Sequence, residues 1–405
     1  MRSQKEYIIT KSEVHAYAED WLGTALRLEY QGYKCSTSVL LQVLLIAAAR
    51  VVSLFAACRD LADAPSDQTV RDALAVALPD IDELQRRLNL ALVRGVPKAL
   101  RRKSRMVAID LTLIPYHGKP ARDPKEIFRG EPKSGTTHFH AYATAIVLHK
   151  GYRYTLALVR VEYGDSMKDV VQRLLAIIRR RGVKIRFLLL DKGFFSVEVM
   201  RYLRRANLGF IMPAVVRGRK PKDPKTPPRG LRALLKKKNG YYRETITSSK
   251  TKEKPETRVT VNICVASKYY PDAKTGRRRR KRLLYVVSKV RRTPNAIRET
   301  YRKRFGIETS YRQMNEARIK TCTRDPRQRL LFVGIALVLR NVWVWIHFRF
   351  AKGKYSAEPQ LFLELLRFQE MLLWITQVVQ KTLGANKTLG LDRQTYERLM
   401  ARYQT

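Results

Sequence analysis

Acid is scarce in this sequence: 35 aspartates and glutamates stand against 81 lysines and arginines, leaving a formal charge of +46 over 405 residues. A compact fold with that excess repels itself, so a polyanion is the natural partner. Nucleic acid is the first candidate class, with an anionic membrane surface or a ribosomal neighbourhood as the others. Cysteine is also sparse. Cys35, Cys58, Cys264 and Cys322 are far apart and form no Cys-x-x-Cys pair, which argues against a zinc ribbon or a disulfide scaffold and fits a reducing cytosol. The opening residues MRSQKEYIITKSEVHAY lack the apolar run of a signal peptide, so a cytoplasmic, nucleoid-associated protein is expected. Long uninterrupted apolar runs are missing as well. Gln42 and Arg50 break the stretch 39–58, and Arg340 and Asn341 break 330–348. A membrane span needs about 18–20 apolar residues, so buried helices of a large core are expected, with no membrane partner.

What remains is 45% hydrophobic and 29% charged, enough for two or three domains. Residues 1–100 read as helical, including one long apolar helix over 37–63. A further helix, QTVRDALAVAL, is capped by Ser66 or Asp67. This region is expected to bind DNA through a helix-turn-helix or to dimerise. From 104 the pattern changes to three strands, SRMVAIDLTLI, HFHAYATAIVLH and YRYTLALVRVE, with a tight turn at Gly151. A helix follows, with Asp165 as its expected N-cap and Gly182 as its stop; then come strand, helix and strand to about 216. The class is α/β, a mixed sheet.

Residues 217–290 interrupt the pattern as a basic, β-rich insertion that begins in the Pro/Lys stretch RGRKPKDPKTPPRG. The stretch 213–290 holds 24 basic and five acidic residues. Within it RRRRKR (277–282) reads as a phosphate-contacting or solvated loop. A long helix is expected from Pro294 to Arg318, and the sheet-bearing core would resume over 291–350. Helices near 327–351 and 358–384 follow, with Pro359 in the first turn of the last, and 351–405 forms a helical C-terminal region.

In so basic a chain three acids stand out. Asp110 interrupts a buried strand in AIDLTLIPYHG. Asp191 ends an apolar strand in LLLDKGFFS, and by itself reads as a turn or capping aspartate. Glu308 lies in YRKRFGIETSYR, where Tyr301, Arg304, Glu308 and Arg312 fall on one helical face. Two carboxylates on strands and one on a helix can converge into an oxygen cage for Mg²⁺ or Mn²⁺. Two such ions about 3.5–4 Å apart activate the attacking oxygen and stabilise the leaving one in phosphodiester cleavage.

These three blocks, in this order and around this sheet pattern, resemble the DDE-type transposases of bacterial and archaeal insertion sequences. The matching segments are IDLTLIPYHG, LLLDKGFFS and YRKRFGIETSYR, with the insertion between the second and third; together they cover roughly 104–345. The resemblance implies an RNase H-like catalytic core flanked by helical regions. It assigns Asp110, Asp191 and Glu308 to metal binding and catalysis, and Tyr301 and Arg304 to the phosphate backbone of the element's end. Arg312, on the same face, joins them as a candidate DNA contact. Thr112 matches a hydroxyl often found two residues after the first Asp. Where the family branch has Lys, this chain has Asn315, with Arg312, Arg318 and Lys320 nearby. The implied activity is Mg²⁺-dependent cleavage at the ends of an insertion sequence and strand transfer into double-stranded target DNA, with a homodimer as the active form. The alternative is a non-catalytic DNA-binding protein derived from such an enzyme.

Other constellations point to structure. His138 and His140 alternate on a strand without an evident third metal ligand. Trp343, Trp345, Phe348 and Phe350 read as core packing rather than a base-stacking surface.

Overall fold

The computed structural model describes residues 8–97, 100–101, 103–120, 122–149, 152–216, 226–248, 255–272, 275–350, 364–386 and 393–403. Its centre is strand β1 (Arg105–Pro115), whose Val107–Ile109 side chains are fully buried. β1 pairs antiparallel with β3 (Thr136–His149), which pairs antiparallel with β4 (Tyr152–Val161). On its other side β1 runs parallel to β5 (Ile185–Leu190), and β5 runs parallel to β6 (Phe210–Pro213). Three antiparallel strands followed by two parallel ones, in the order β4-β3-β1-β5-β6, form the mixed sheet of an RNase H-like core. A short strand not foreseen from the sequence, β2 (Phe128–Lys133), extends the β3 border.

The basic insertion does not stand apart. Its strands β7 (Gly240–Thr247), β8 (Arg258–Pro271) and β9 (Arg278–Ser288) continue the same sheet, because β9 pairs antiparallel with β6. The nine strands are one sheet. Most of the RRRRKR run is therefore strand rather than loop: Arg278–Arg282 pair with Ser267–Pro271, and this ladder carries the ribbon's charge outward. Most of the Pro/Lys lead-in, Gly151 and Pro359 lie outside the described residues.

The N-terminal helices are α1 (Lys11–Leu26), α2 (Thr37–Ala49), α3 (Leu54–Arg59), α4 (Asp67–Ala77) and α5 (Ile81–Val93). The single helix expected over 37–63 is two. The chain breaks after Arg50, where Val51 takes a left-handed φ of 55° and Ser53 caps α3 by accepting from the Ala56 N–H. Ser66 caps α4 as expected. In the core, α6 (Met167–Arg180) joins β4 to β5 and α7 (Val197–Arg205) joins β5 to β6. The cap of α6 is Ser166, not Asp165; Asp165 instead accepts from the Glu162 N–H and pairs with Arg173. A single turn, α8 (Leu231–Leu234), precedes the insertion strands.

The helix expected over 294–318 is also broken, into α9 (Pro294–Arg302), a 3₁₀ turn over Lys303–Phe305, and α10 (Gly306–Asn315). Gly306 opens α10 against Arg153, whose Nε lies 2.7 Å from where a Cβ would stand. A side chain there would require Arg153 to shift. The chain ends in α11 (Pro326–Phe350), α12 (Phe368–Leu383) and α13 (Arg393–Tyr403). Among the described residues α11 alone is long and apolar enough to cross a membrane, and 94% of its most apolar window is buried inside the protein.

The polar residues inside α11 have structural partners. Among the described residues β4 pairs only with β3, so its outer edge presents backbone groups without a strand partner, which cost free energy when buried unpaired. Asn341 donates to the Thr155 carbonyl and accepts from the Thr155 N–H, and Asn89 of α5 does the same at Leu158. Gln85 accepts from the Arg160 N–H. Arg340 donates to Gln313 and to the Arg153 carbonyl. Trp343, 2% exposed, donates to the Leu366 carbonyl, consistent with a packing role. Asn341→Ala strands both backbone groups of Thr155. It should cost about 3 kcal/mol of unfolding free energy, measured by urea titration; a loss below about 1 kcal/mol would contradict this account of the edge.

Candidate active site

The carboxyl end of β5 and the middle of β1 deliver Asp191 and Asp110 to one region, the place where open α/β sheets bind ligands. Asp191 makes no capping hydrogen bond with the 3₁₀ turn that follows it, so its carboxylate is left for other partners. Glu308 comes from the first turn of α10, where the helix dipole favours an anion. All three acids meet on one cation. Arg304, 7% exposed at its side chain, places one guanidinium nitrogen 2.6 Å from Asp110 and the other 3.4 Å from Asp191 and 3.2 Å from Glu308. The trio inferred from the sequence is therefore gathered at one centre.

Two tyrosines fix the backbone beneath the acids. The Tyr301 hydroxyl donates to the carbonyl of Leu190, immediately before Asp191. The Tyr311 hydroxyl donates to the carbonyl of Asp110 and bonds to Thr144, which lies opposite Asp110 on β3. Tyr311 and Thr144 did not stand out in the sequence as site residues. Tyr301 is 6% exposed and packs on Tyr285. As placed, Tyr301 and Arg304 face the protein, whereas Arg312 lies exposed in the last turn of α10. Thr112 is half-buried two residues beyond Asp110. Asn315, Arg318 and Lys320 line a neighbouring cavity of about 630 Å³ with His117 and the buried His140.

Burial dominates the electrostatics of Asp110. Desolvation pushes its pKa from the ordinary aspartate range up to about 6; the Arg304 charge opposes the shift, and Asp191 adds to it. Desolvation, then the Asp110 charge, raise the Tyr311 pKa far above its usual value, so that it stays a hydroxyl donor. Burial works against the Arg304 charge, but Tyr301 and the three acids outweigh it and raise the guanidinium's pKa.

The donor set is all oxygen, as Mg²⁺ or Mn²⁺ requires. Its spacing is set by the guanidinium, and among the described residues no three acid, histidine or cysteine side chains lie close enough to grip one ion. The residues fit a divalent cation in kind, and Arg304 occupies the centre they share.

The raised pKa has a testable sign. The folded state holds the Asp110 proton more tightly than the unfolded chain, so this stabilisation is present below the usual aspartate pKa and lost as pH rises through about 6. Asp110→Asn, which cannot ionise, should gain on the wild type by about 3 kcal/mol between roughly pH 4 and pH 7. Urea unfolding without divalent cations checks this; a difference independent of pH would refute it.

Comparison with known proteins follows the same blocks. A family model, the transposase DDE domain, matches residues 101–342 and so spans all three acids, both tyrosines and the insertion. No curated protein sequence matches the chain. One similar solved structure is that of a piggyBac transposase synaptic complex with hairpin DNA, 13% identical, covering 96% of this chain and 82% of that one at a TM-score of 0.49. With the family model matching well over half its length, the chain belongs to the transposase DDE domain family.

Proposed function

We propose that this protein cuts DNA at the ends of an insertion sequence and joins the freed 3′ ends to target DNA, using Mg²⁺ or Mn²⁺. The observation that carries the reading is the meeting of Asp110, Asp191 and Glu308, from three distant parts of the chain, at one buried cation. In this reading Asp110, Asp191 and Glu308 would hold one or two divalent ions, whose chemistry would be to activate the attacking oxygen and stabilise the leaving one.

The chain's own residues do the rest. Tyr301 and Tyr311 keep the two strand acids aimed while charge builds between them. Arg304, which bridges the three acids, has the planar fork that would suit a non-bridging oxygen of the scissile phosphate. In the first step a water oxygen bonds to phosphorus, the 3′ oxygen departs and takes up a proton, and a 5′-phosphate remains. In the second that 3′-OH attacks a target phosphodiester, whose own 3′ oxygen leaves. The exposed Arg312 and the basic β8–β9 ladder hold the duplex. A homodimer would present two such centres to the two ends of an element.

Asp110→Ala, Asp191→Ala and Glu308→Ala should each reduce Mg²⁺-dependent nicking of supercoiled DNA to below about one-hundredth of the wild-type rate. Duplex affinity in EDTA should be nearly unchanged. If the wild type binds duplex but neither it nor the variants cut, the alternative of a non-catalytic DNA-binding protein stands. Binding should also weaken with salt by about 0.9 log units in affinity per phosphate contact per decade. A flat salt response would remove the nucleic-acid partner altogether.

A further inference from the structure

A second concentration of positive charge lies away from the acid trio. Between α1, α5 and the end of α6 opens a cleft of about 670 Å³, half open to solvent and lined by Arg27, Arg86, Arg94, Arg101, Arg180 and Arg181. A seventh, Arg87, is tied into its floor by the carbonyls of Leu26 and Arg27. The acid in the lining is Glu83, and its two oxygens are taken up by Arg86 and Arg87. Arg94 pairs with Asp20. Among the described residues Arg27, Arg101, Arg180 and Arg181 have no carboxylate partner. Arg181 is half-buried, and its Nε is buried with no hydrogen-bond partner. Burial, and then the charges of Arg180, Arg86 and Arg101, lower its hold on its proton. Arg181, its neighbour Arg180, Arg86 and Arg101, from three parts of the fold, thus press on one another, an arrangement that an anion would relieve.

The shape of the lining selects among anions. Among the described residues no aromatic side chain lines the cleft to stack a base; the apolar walls are Ala25, Leu90 and Val93. A sugar-phosphate backbone, with its charges spaced along a line, matches this better than a nucleotide bound by its ring. The cleft lies at the amino end of β5, since Arg181 precedes Ile185, whereas Asp191 follows the strand's other end. Six strand residues separate the two by about 20 Å.

We propose that this arginine cleft grips the phosphate backbone of double-stranded DNA, giving the protein a duplex-binding surface separate from the one at the acid trio. The inference rests on the reading that the protein acts on DNA. Guanidiniums from the α1 end, α5, the approach to β1 and the α6 end close on the backbone together, so the N-terminal helices and the catalytic core share one contact.

The test uses the full-length protein in EDTA with a fluorescent duplex of random sequence. Arg180→Glu with Arg181→Glu should flatten the slope of log affinity against log salt by about 2 and weaken binding at physiological salt at least about tenfold. Arg181→Lys should keep most of the affinity, and Lys168→Glu, at the other end of α6, should change it little. Equal melting temperatures establish that the variants fold; should the double variant unfold, the exposed Arg27→Glu with Arg101→Glu replaces it with the same expectation. An unchanged slope, or a loss no greater than that from Lys168→Glu, overturns the proposal. So does stabilisation by inorganic tripolyphosphate that the double variant abolishes while duplex binding stays intact, since that marks a small-anion site. A wild type that binds no duplex at all instead refutes the underlying reading of the protein as DNA-acting.

Discussion

Three carboxylates cannot share a partly buried space unless something positive stands among them, and here that is the Arg304 guanidinium. Much of the surrounding architecture serves this requirement. The 3₁₀ turn between α9 and α10 carries Arg304 inward, Gly306 lets that turn pack against Arg153, and Tyr301 and Tyr311 hold the strand backbones that present two of the acids. Desolvation makes each of these charges costly alone. Removing the arginine would leave three anions facing one another, while removing one acid leaves the guanidinium two partners.

The sequence made the core legible because its signals were local. Asp110 stood out as an acid inside an apolar strand, whereas Asp191 by itself read as a turn or capping aspartate; the three acids taken together, in blocks resembling a known family, located Asp110, Asp191 and Glu308. Apart from the short β2, the order of strands and helices from 104 to 216 followed from periodicity and from stops such as Gly182, which takes a positive φ of 68°. What sequence patterns could not reveal were long-range contacts. Arg304 looked like a free cation for phosphate, whereas its nearest partner, Asp110, lies 194 residues away. Tyr311 and Thr144 are ordinary residues until folding sets them 2.8 Å apart. Helix breaks were missed for a related reason: neither the left-handed Val51 nor the approach of Gly306 to Arg153 leaves a mark in hydrophobic spacing. Asp165 and Ser166 are both good caps, and the choice between them turned on Arg173, one helix turn beyond the cap's own reach.

The insertion illustrates a different limit. Its charge and strand character were evident, but its attachment was not. Because β9 pairs with β6 from Phe210 to Pro213, the basic ribbon is a continuation of the core sheet. A ribbon joined in this way moves with the acids and keeps its cations in a fixed relation to them.

The amides that close the outer border of β4 bear on assembly. A sheet can recruit a strand from another molecule only where a row of backbone donors and acceptors is still available, and at Thr155, Leu158 and Arg160 side chains from α5 and α11 already fill those positions. Two copies of this chain therefore cannot fuse their sheets across that border. Any association between them has to be made by side chains or at another margin of the sheet.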